Sequence, residues 1–344
     1  MNSSGHRGAA DGSRLTIDSL TIEFSGENAV VQPVESVSLE IRANEVVGLV
    51  GESGSGKSLT ALSTLRLMAS PNGRIASGRV QLNGIDLLSL PTRELRRIRG
   101  REIGVVFQDP NACLNPAFTV GEQISEVARV HLGLDRSAAW KKAVEALREV
   151  GIDDPEDRAN SYPHQFSGGM RQRVMIAMAI VCRPQFLIAD EPTTALDVTT
   201  QLEILRMLGR LQTELGLGIL FVTHDLGLVS EFCDRLYVMY AGRIVEEGAV
   251  LDVFQTPRHP YTEALLRALP QMGHAGRELP VIPGELPSPG SHPPGCRFHP
   301  RCPYAVEGRC TDREPELTAD ELGKVRCVRT NEIHLQGVSR ESLQ

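Results

Sequence analysis

The chain has 344 residues, of which 41% are hydrophobic and 23% charged, and its formal net charge is −7. This length predicts about two domains, and the composition is that of a folded globular protein rather than a disordered or fibrous one. The negative charge argues against a general binder of nucleic acid or anionic membranes, and the longest apolar run, residues 174–182, is shorter than the roughly 18 residues that a membrane span needs.

The first elements can be read directly from the N-terminal sequence. Residues 1–13 are polar and contain no apolar signal region, so we expect a flexible leader and a protein that stays in the cytosol. Alternating β-branched runs over residues 15–41 predict strands joined by hairpin turns. The almost continuous apolar run at 45–50 predicts a buried parallel strand, and the helical spacing over 58–68 predicts a helix after it.

The chain then alternates between the two kinds of element up to about residue 222. Strands are predicted at 80–88, 103–107, 186–189 and 218–222. Helices are predicted at 121–150, 170–181 and 200–215. Apolar strands that alternate with helices indicate an α/β fold with a mainly parallel sheet covered on both faces.

A phosphate-binding loop follows the strand at 45–50. Residues 51–58, GESGSGKS, match the pattern G-x-x-x-x-G-K-[ST]. In such a loop the backbone N–H groups bind phosphate oxygens, the lysine supplies charge to the β and γ phosphates, and the final hydroxyl ligates Mg²⁺. A chance match would seldom lie between an apolar strand and a helix. The residues assigned to this site are Gly51, Ser53, Gly54, Ser55, Gly56, Lys57 and Ser58.

A pair of carboxylates follows the apolar run at 186–189. Asp190 and Glu191 would lie at the carboxyl end of a strand, which is the edge of an open α/β sheet where ligands bind. Such a pair alone is usually a solvated loop, but the phosphate loop favours a catalytic interpretation. Asp190 would then hold Mg²⁺, and Glu191 would orient and deprotonate the attacking water.

Residues 166–173, FSGGMRQR, carry the resemblance that identifies the family. Ser167 can cap the following helix, while Gly168 and Gly169 leave the backbone open to an anion. The segment resembles the signature loop of the ATP-binding cassette (ABC) ATPases, and the order of motifs over residues 14–265 is similar to that family's.

The match to the signature is not complete. The commonest signature in the family begins Leu-Ser-Gly-Gly-Gln, whereas this chain has Phe166 and Met170 in place of the leucine and the glutamine. The Ser-Gly-Gly centre is intact, but Met170 removes an amide that would contact the opposite nucleotide.

The resemblance implies a fold and further site residues. It implies an ABC-type P-loop ATPase core with an antiparallel β subdomain and a helical subdomain at about 109–185. It assigns Phe24 to adenine stacking, Gln108 to Mg²⁺ and the attacking water, Asp197 to the loop that crosses the dimer interface, and His224 to the γ-phosphate. The plainer alternatives are strand packing for Phe24, a polar turn for Gln108 and a helix-entry cap for His224.

The tail resembles that of dipeptide and oligopeptide importer ATPases. Residues 256–266, TPRHPYTEALL, carry this likeness and lead into a C-terminal domain at 266–344. The resemblance implies an ATP-hydrolysing subunit at the cytoplasmic face of the cell membrane. Its partners would be a second related ATPase, two membrane permeases and, indirectly, an external peptide-binding protein. A homodimer, import of nickel, glutathione or another small solute, and a soluble ABC ATPase acting on nucleic acid or the ribosome remain as alternatives.

Four of the seven cysteines cluster in this tail, at the end of a proline-rich connector over residues 279–300 and after it. Cys296, Cys302, Cys310 and Cys327 fit neither the common zinc spacings nor those of ferredoxins. In a reducing cytosol, a metal centre is favoured over disulfides. The spacing leaves a cluster, zinc and unliganded thiols open. The family resemblance adds a [4Fe–4S] cluster, which some peptide-importer ATPases carry on a similar tail.

Overall fold

The computed structural model describes residues 12–26, 29–68, 70, 72–194, 196–269 and 281–338. Except for its last two positions, the predicted leader lies outside the described residues, as does the start of the proline-rich region.

The strands are β1 (Arg14–Ser25), β2 (Val30–Arg42), β3 (Val46–Val50), β4 (Gly73–Leu82), β5 (Ile85–Asp86), β6 (Ile103–Val106), β7 (Phe186–Asp190), β8 (Gly218–Thr223), β9 (Arg235–Tyr240), β10 (Arg243–Ala249), β11 (Thr318–Asp320) and β12 (Gly323–Val325). The α-helices are α1 (Lys57–Ser63), α2 (Thr92–Ile98), α3 (Pro110–Cys113), α4 (Val120–Leu132), α5 (Arg136–Glu149), α6 (Pro155–Arg158), α7 (Gly168–Ile180), α8 (Val198–Leu215), α9 (Leu226–Phe232), α10 (Val250–Gln255) and α11 (Pro260–Arg267). None of these helices is long and apolar enough to cross a membrane, a statement that covers the described ranges alone.

Most predicted elements are present, but one strand and two helical segments differ from those expected. The strand predicted at 80–88 is instead the end of β4, a turn, and the two-residue strand β5. Helix α1 ends at Ser63 rather than near residue 68, and Arg66 after it has a φ of 53°, which no right-handed helix accommodates. The helix predicted over 121–150 is two helices. Gly133 ends α4 in the left-handed conformation, and the side chain of Asp135 caps α5 by accepting the N–H of Ala138.

The chain forms two units. The helical unit consists of Met1–Leu15, Ile41–Glu45 and Gln81–Phe221. The phosphate-loop unit consists of Thr16–Glu40, Val46–Val80 and Val222–Gln344.

In the helical unit, three neighbouring strands and a group of packed helices contribute buried apolar residues. Strand β7 lies between β8 and β6, and it is parallel to β6, with Ile103 opposite Phe186. All five residues of β7 are buried, as expected for a strand covered on both faces. Helices α4, α5 and α7 contact one another and contribute Ile124, Leu147 and Ile176 to the core.

In the phosphate-loop unit, the strand order β11–β12–β10–β9–β3 makes a mixed sheet. Only the β3–β9 pair of this group is parallel, whereas β9, β10, β12 and β11 are joined by antiparallel pairs. The expectation of a mainly parallel sheet came from the segment before residue 222, and the antiparallel pairs among β9 to β12 were not predicted. The cause is local: Ala241 and Gly242, the two residues between β9 and β10, have φ values of 43° and 85°, as a tight type I′ hairpin turn requires.

A buried carboxylate ties strand β10 to the start of α11. Glu246 is 0% exposed, and its two carboxylate oxygens accept the backbone N–H groups of Arg258 and His259, at 2.9 and 3.0 Å. Burial raises the pKa of Glu246 to about 7, against the lowering effect of these hydrogen bonds. His259 also caps α11, because its Nδ1 accepts the N–H of Tyr261 at 3.0 Å.

The C-terminal region, residues 281–338, contains little regular structure and is joined to the sheets by packing and ion pairs. Phe298 packs with Tyr240 of β9 and Tyr261 of α11, with ring centroids 5.2 and 5.4 Å apart. Arg297 and Arg243 both donate to the carboxylate of Glu35 on β2. Both guanidinium groups also lie beside the carboxylate of Glu314, that of Arg243 at 3.1 Å and that of Arg297 at 3.4 Å.

We expect Glu35→Gln to loosen the C-terminal region in a pH-dependent way. Burial raises the pKa of Glu35, but the hydrogen bonds and charges of Arg297 and Arg243 outweigh it and leave that pKa below its ordinary value. A lowered folded-state pKa means that this stabilisation is present above the unfolded pKa of about 4.5 and is lost as the pH falls through the folded value. At pH 7 the variant should lose about 1–2 kcal/mol of unfolding free energy.

Chemical denaturation at pH 7 and at pH 4 measures this difference. Glu316→Gln, which removes a carboxylate from an exposed pair with Arg313, is the matched control and should change stability little at either pH. A Glu35→Gln deficit that is as large at the lower pH as at pH 7 would contradict the ionic role of Glu35.

Candidate active site

The phosphate loop links β3 to α1 and has no room for side chains at two of its glycines. A Cβ on Gly51 would lie 2.1 Å from the carbonyl oxygen of Met239, and one on Gly56 would lie 2.8 Å from that of Pro33. Both glycines also have positive φ, at 152° and 106°. The loop is thus held against the end of β9, while Ser53 and Gly54 in its middle are exposed.

The lysine of the loop is held by the loop's own backbone. Lys57 is only 4% exposed, and its Nζ donates to the carbonyl oxygens of Gly51 at 2.8 Å and Glu52 at 3.0 Å. Its ammonium group is therefore oriented by two peptide carbonyls before any anion arrives. This geometry suits a charge that is to contact phosphate oxygens.

His224 lies at the carboxyl end of β8, where it is exposed. It does not cap the next helix. The cap of α9 is Asp225, whose Oδ1 accepts the N–H groups of Gly227 at 2.8 Å and Leu228 at 3.4 Å. The alternative interpretation of His224 as a helix-entry cap is therefore wrong, and its ring stands at a sheet edge of the kind where ligands bind.

Phe24, on β1, packs against a neighbouring strand, as the alternative interpretation of this residue predicts. A Cβ on Gly73 of β4 would lie 2.8 Å from Cε1 of Phe24, so the ring covers that glycine. The side chain is only partly buried, which leaves ring surface accessible to a ligand. Strand packing and stacking on a base are thus compatible for this residue.

In the helical unit, Glu191 and Gln108 lie side by side. Nε2 of Gln108 donates to Oε2 of Glu191 at 3.0 Å, and the hydroxyl of Thr194 donates to the same oxygen at 2.9 Å. Glu191 has a φ of 46°, which is unusual for a non-glycine residue and is typical of functional sites. Asp190, the residue before it, is the buried last residue of β7. The structure thus brings together Glu191 and the glutamine that was predicted to sense water.

The predicted signature segment begins α7, and Ser167 caps it as expected. Oγ of Ser167 accepts the N–H of Met170 at 3.3 Å, and Ser167 and Gly168 are exposed. A Cβ on Gly169 would lie 2.6 Å from Cγ2 of Thr200 on α8. A side chain at position 169 would therefore have to displace Thr200, quite apart from any contact with phosphate.

Thr200 also fixes the conformation at Asp197, which is exposed and caps α8. The N–H and the hydroxyl of Thr200 donate to the Asp197 carboxylate at 3.0 and 2.7 Å, and these bonds lower the pKa of Asp197. Sequence reasoning missed Thr200. A threonine three residues after an N-cap aspartate was the available signal, but its contact with Gly169 connects positions 31 residues apart.

The predicted site residues divide between the two units. The helical unit holds Gln108, Asp190, Glu191, Ser167, Gly168, Gly169 and Asp197. The phosphate-loop unit holds Phe24, the loop at 51–58, His224 and the four tail cysteines.

The four tail cysteines line one cavity, together with His259, Phe298 and other residues. Each sulfur accepts a backbone N–H group, and the four donors are Phe298, Tyr304, Val306 and Arg329. Burial raises the pKa of Cys296 to about 12 and that of Cys302 to about 11. Within the described residues, however, no group of three or more His, Cys, Asp or Glu side chains is arranged to hold a metal ion.

Comparison with known families agrees with this geometry in two parts of the chain. The sequence profile of the ABC transporter family matches residues 34–194. The profile of the oligopeptide/dipeptide transporter C-terminal region matches residues 245–310, which include α11 and three of the four tail cysteines.

Individual relatives match over most of their length. A Brucella abortus protein named for peptide import ATP binding is 49% identical over 330 residues, covering 93% of this chain and 98% of the relative. The dipeptide transport ATP-binding protein DppD of Escherichia coli is 48% identical over 303 residues, covering 88% and 92%. A solved dimeric ATP-binding cassette in a post-hydrolysis state, with ADP and phosphate bound, is 30% identical at a TM-score of 0.62, covering 69% of this chain and 98% of that one.

The contact between Gly169 and Thr200 yields a compensation test. We expect Gly169→Ala to destabilise the helical unit by about 1–3 kcal/mol, because the new methyl group overlaps Cγ2 of Thr200. Thr200→Ser removes Cγ2 but keeps the hydroxyl that Asp197 accepts, so the double variant Gly169→Ala/Thr200→Ser should recover most of the loss. Thermal unfolding of the wild type and the three variants measures this. Additive destabilisation in the double variant would show that the clash is not the cause.

Proposed function

The chain belongs to the ABC transporter family of ATPases, and we propose that it is the ATP-hydrolysing subunit of a peptide importer. The observation that carries this proposal is the joint match of the ABC transporter profile and the oligopeptide/dipeptide transporter C-terminal region on one chain. The 48% identity to a dipeptide transport protein over most of both sequences supports the same solute class.

We propose that the phosphate-loop residues bind the nucleotide. Backbone N–H groups of the loop after Glu52 bind phosphate oxygens, and Lys57 contacts the β and γ phosphates. Two peptide carbonyls already orient the lysine ammonium group, which supports this role. Phe24 would stack on the adenine, and His224 would contact the γ-phosphate from the end of β8.

The oxygen donors assigned to Mg²⁺ suit that ion. The hydroxyl of Ser58, the side-chain oxygen of Gln108 and the carboxylate of Asp190 are hard ligands, the kind that Mg²⁺ prefers. Bound Mg²⁺ would neutralise charge on the β and γ phosphates. These assignments rest on residue type and family resemblance.

Glu191 would act as the base in hydrolysis. A water oxygen attacks the γ-phosphorus, the bond from that phosphorus to the β–γ bridging oxygen breaks, and the water proton passes to Glu191. The products are ADP and inorganic phosphate. The hydrogen bond that Gln108 donates to Glu191 supports a shared water site, because it holds the two side chains next to each other, where one water molecule beside them can contact both.

We further propose a dimer with two composite sites. Ser167, Gly168 and Gly169 of one subunit would meet the nucleotide held by the other, and Asp197 would lie in the loop that crosses the interface. The exposure of Ser167, Gly168 and Asp197 is compatible with this role. The partner would be a second related ATPase. Two permeases would place the dimer at the cytoplasmic face of the membrane, supplied by an external peptide-binding protein.

For the C-terminal region, we propose a [4Fe–4S] cluster held by Cys296, Cys302, Cys310 and Cys327. Their common cavity and the four N–H groups directed at their sulfurs support the proposal, because such hydrogen bonds stabilise sulfur ligands and tune a cluster. Among the described residues the four sulfurs are not arranged as a metal site, so they would have to draw together around the cluster. A cluster would stabilise a segment of little regular structure.

Anaerobically purified protein should contain about four iron and four acid-labile sulfide per chain, with the broad visible absorption of a cluster. Cys310→Ser should lower the iron content, while Cys113→Ser, a cysteine outside the tail, should leave it unchanged. Zinc without sulfide, or no metal in fresh anaerobic protein, would refute the cluster.

Capture of partners tests the transport function and the catalytic role of Glu191 together. A tagged Glu191→Gln chain should bind ATP but lose ATPase activity by about 100-fold or more, because the general base is missing. Extracted from membranes in mild detergent, it should retain a second ATPase more firmly with MgATP than without, together with two permeases identified by mass spectrometry.

Glu214→Gln, at an exposed position near the end of α8, is the matched control and should behave as the wild type. Recovery only in the soluble fraction with ribosomes or DNA would overturn the transport function. Wild-type turnover by Glu191→Gln would exclude Glu191 as the base.

A further inference from the structure

A residue of the phosphate loop that the proposed chemistry does not use is held by the C-terminal region. Glu52, the second residue of the loop, has a side chain that is 27% exposed and directed toward Arg301. Arg301 donates from both terminal nitrogens to the Glu52 carboxylate, at 2.7 and 2.9 Å. The pairing is bidentate, so it fixes the orientation of the Glu52 carboxylate as well as its distance from Arg301, unlike a single ion-pair contact.

The guanidinium of Arg301 is itself firmly placed. Its side chain is 5% exposed, its Nε donates to the carbonyl oxygen of Pro283 at 2.8 Å, and its cationic carbon lies 5.8 Å from the ring centroid of Tyr240. The hydrogen bonds to Glu52 and burial act in opposite directions, and the pKa of Arg301 stays above its ordinary value. Arg301 is therefore a fixed cation rather than a mobile surface charge.

The backbone of Glu52 is held by a second residue of the C-terminal half. The N–H of Glu52 donates to the hydroxyl of Tyr261 at 2.8 Å, and Tyr261 is 0% exposed in the first turn of α11. Glu52 is thus fixed at its carboxylate by Arg301 and at its amide by Tyr261. Its carbonyl, in turn, accepts from Lys57.

We propose that Arg301 and Tyr261 are positioning residues for ATP binding, which act through Glu52 on the phosphate loop and Lys57. One carbonyl that orients the lysine ammonium belongs to the residue that both side chains hold, so releasing Glu52 frees that carbonyl to move. The C-terminal region is in this way a working part of the nucleotide site. The proposal rests on the proposed role of the loop in binding ATP.

The first test compares binding and turnover in the full-length protein. Because preorganisation is lost before the nucleotide arrives, Arg301→Ala should raise the Kd and the KM for MgATP about tenfold while changing kcat less than twofold. Tyr261→Phe removes only the hydroxyl, and it should raise both constants about threefold. Calorimetric titration with MgATP and steady-state ATPase kinetics give these values.

Two matched controls come from the same region. Arg309 forms an equally bidentate pair with Glu332, at 2.9 and 2.7 Å, that does not involve the phosphate loop. The hydroxyl of Tyr304 donates to Glu263 at 2.9 Å rather than accepting from the loop. Arg309→Ala and Tyr304→Phe should leave Kd and KM unchanged. Equal losses in these controls would show that the effect is general loosening and would overturn the proposal.

A double-variant cycle tests whether Arg301 acts through Glu52. In the Glu52→Gln background, Arg301→Ala should add less than twofold to Kd, because the pair is already weakened. Full additivity, or an unchanged Kd and KM in both Arg301→Ala and Tyr261→Phe, would overturn the proposal. Should Arg301→Ala fail to fold, Arg301→Lys can replace it. This variant keeps the positive charge but cannot make the bidentate contact with Glu52, so it should still raise the Kd.

Lys57→Ala separates this proposal from the function on which it rests. If Lys57→Ala leaves MgATP binding unchanged, the role of the phosphate loop fails. If Lys57→Ala abolishes binding while Arg301→Ala and Tyr261→Phe bind as the wild type does, the positioning role alone fails.

Discussion

The close approach of the phosphate loop to the end of β9 is the constraint on which the loop's conformation depends. A side chain at Gly51 would collide with a backbone carbonyl, which cannot move aside as a flexible side chain can. With its first glycine packed in this way, the loop turns back on itself and presents two carbonyls to Lys57. The position of Lys57 therefore depends first on how the loop packs, and only then on the attraction between its ammonium group and the two carbonyls.

Much of the fold, and the place in it of many predicted site residues, could be predicted from sequence because the signals are local. The buried strand β7 appears as an apolar run, Ser167 and Asp197 are capping residues at helix starts, and the loop at 51–58 is a dense motif. The hairpin at Ala241 and Gly242 was missed because alanine seldom adopts positive φ.

The contacts that could not be predicted join residues that are far apart in the sequence. Arg301 and Glu52 are 249 residues apart, and neither lies in a periodic pattern that would point to the other. The sequence also gives no sign of the contact between Gly169 and Thr200. A glycine in a signature loop is already explained by function, so nothing suggests a packing role. For the cysteines, sequence alone identifies four soft ligands, and their shared cavity follows only from the folding of the tail.

Glu246 has a consequence for the exchange of C-terminal regions between relatives. Both of its carboxylate oxygens are satisfied by backbone N–H groups of the segment that begins α11. A chimera that joined a foreign tail at this point would bury the carboxylate without partners unless the grafted backbone followed the same path, at a cost of a few kcal/mol. The boundary between cassette and tail is therefore a poor recombination point, and a viable crossover should keep β10 and the start of α11 from the same parent.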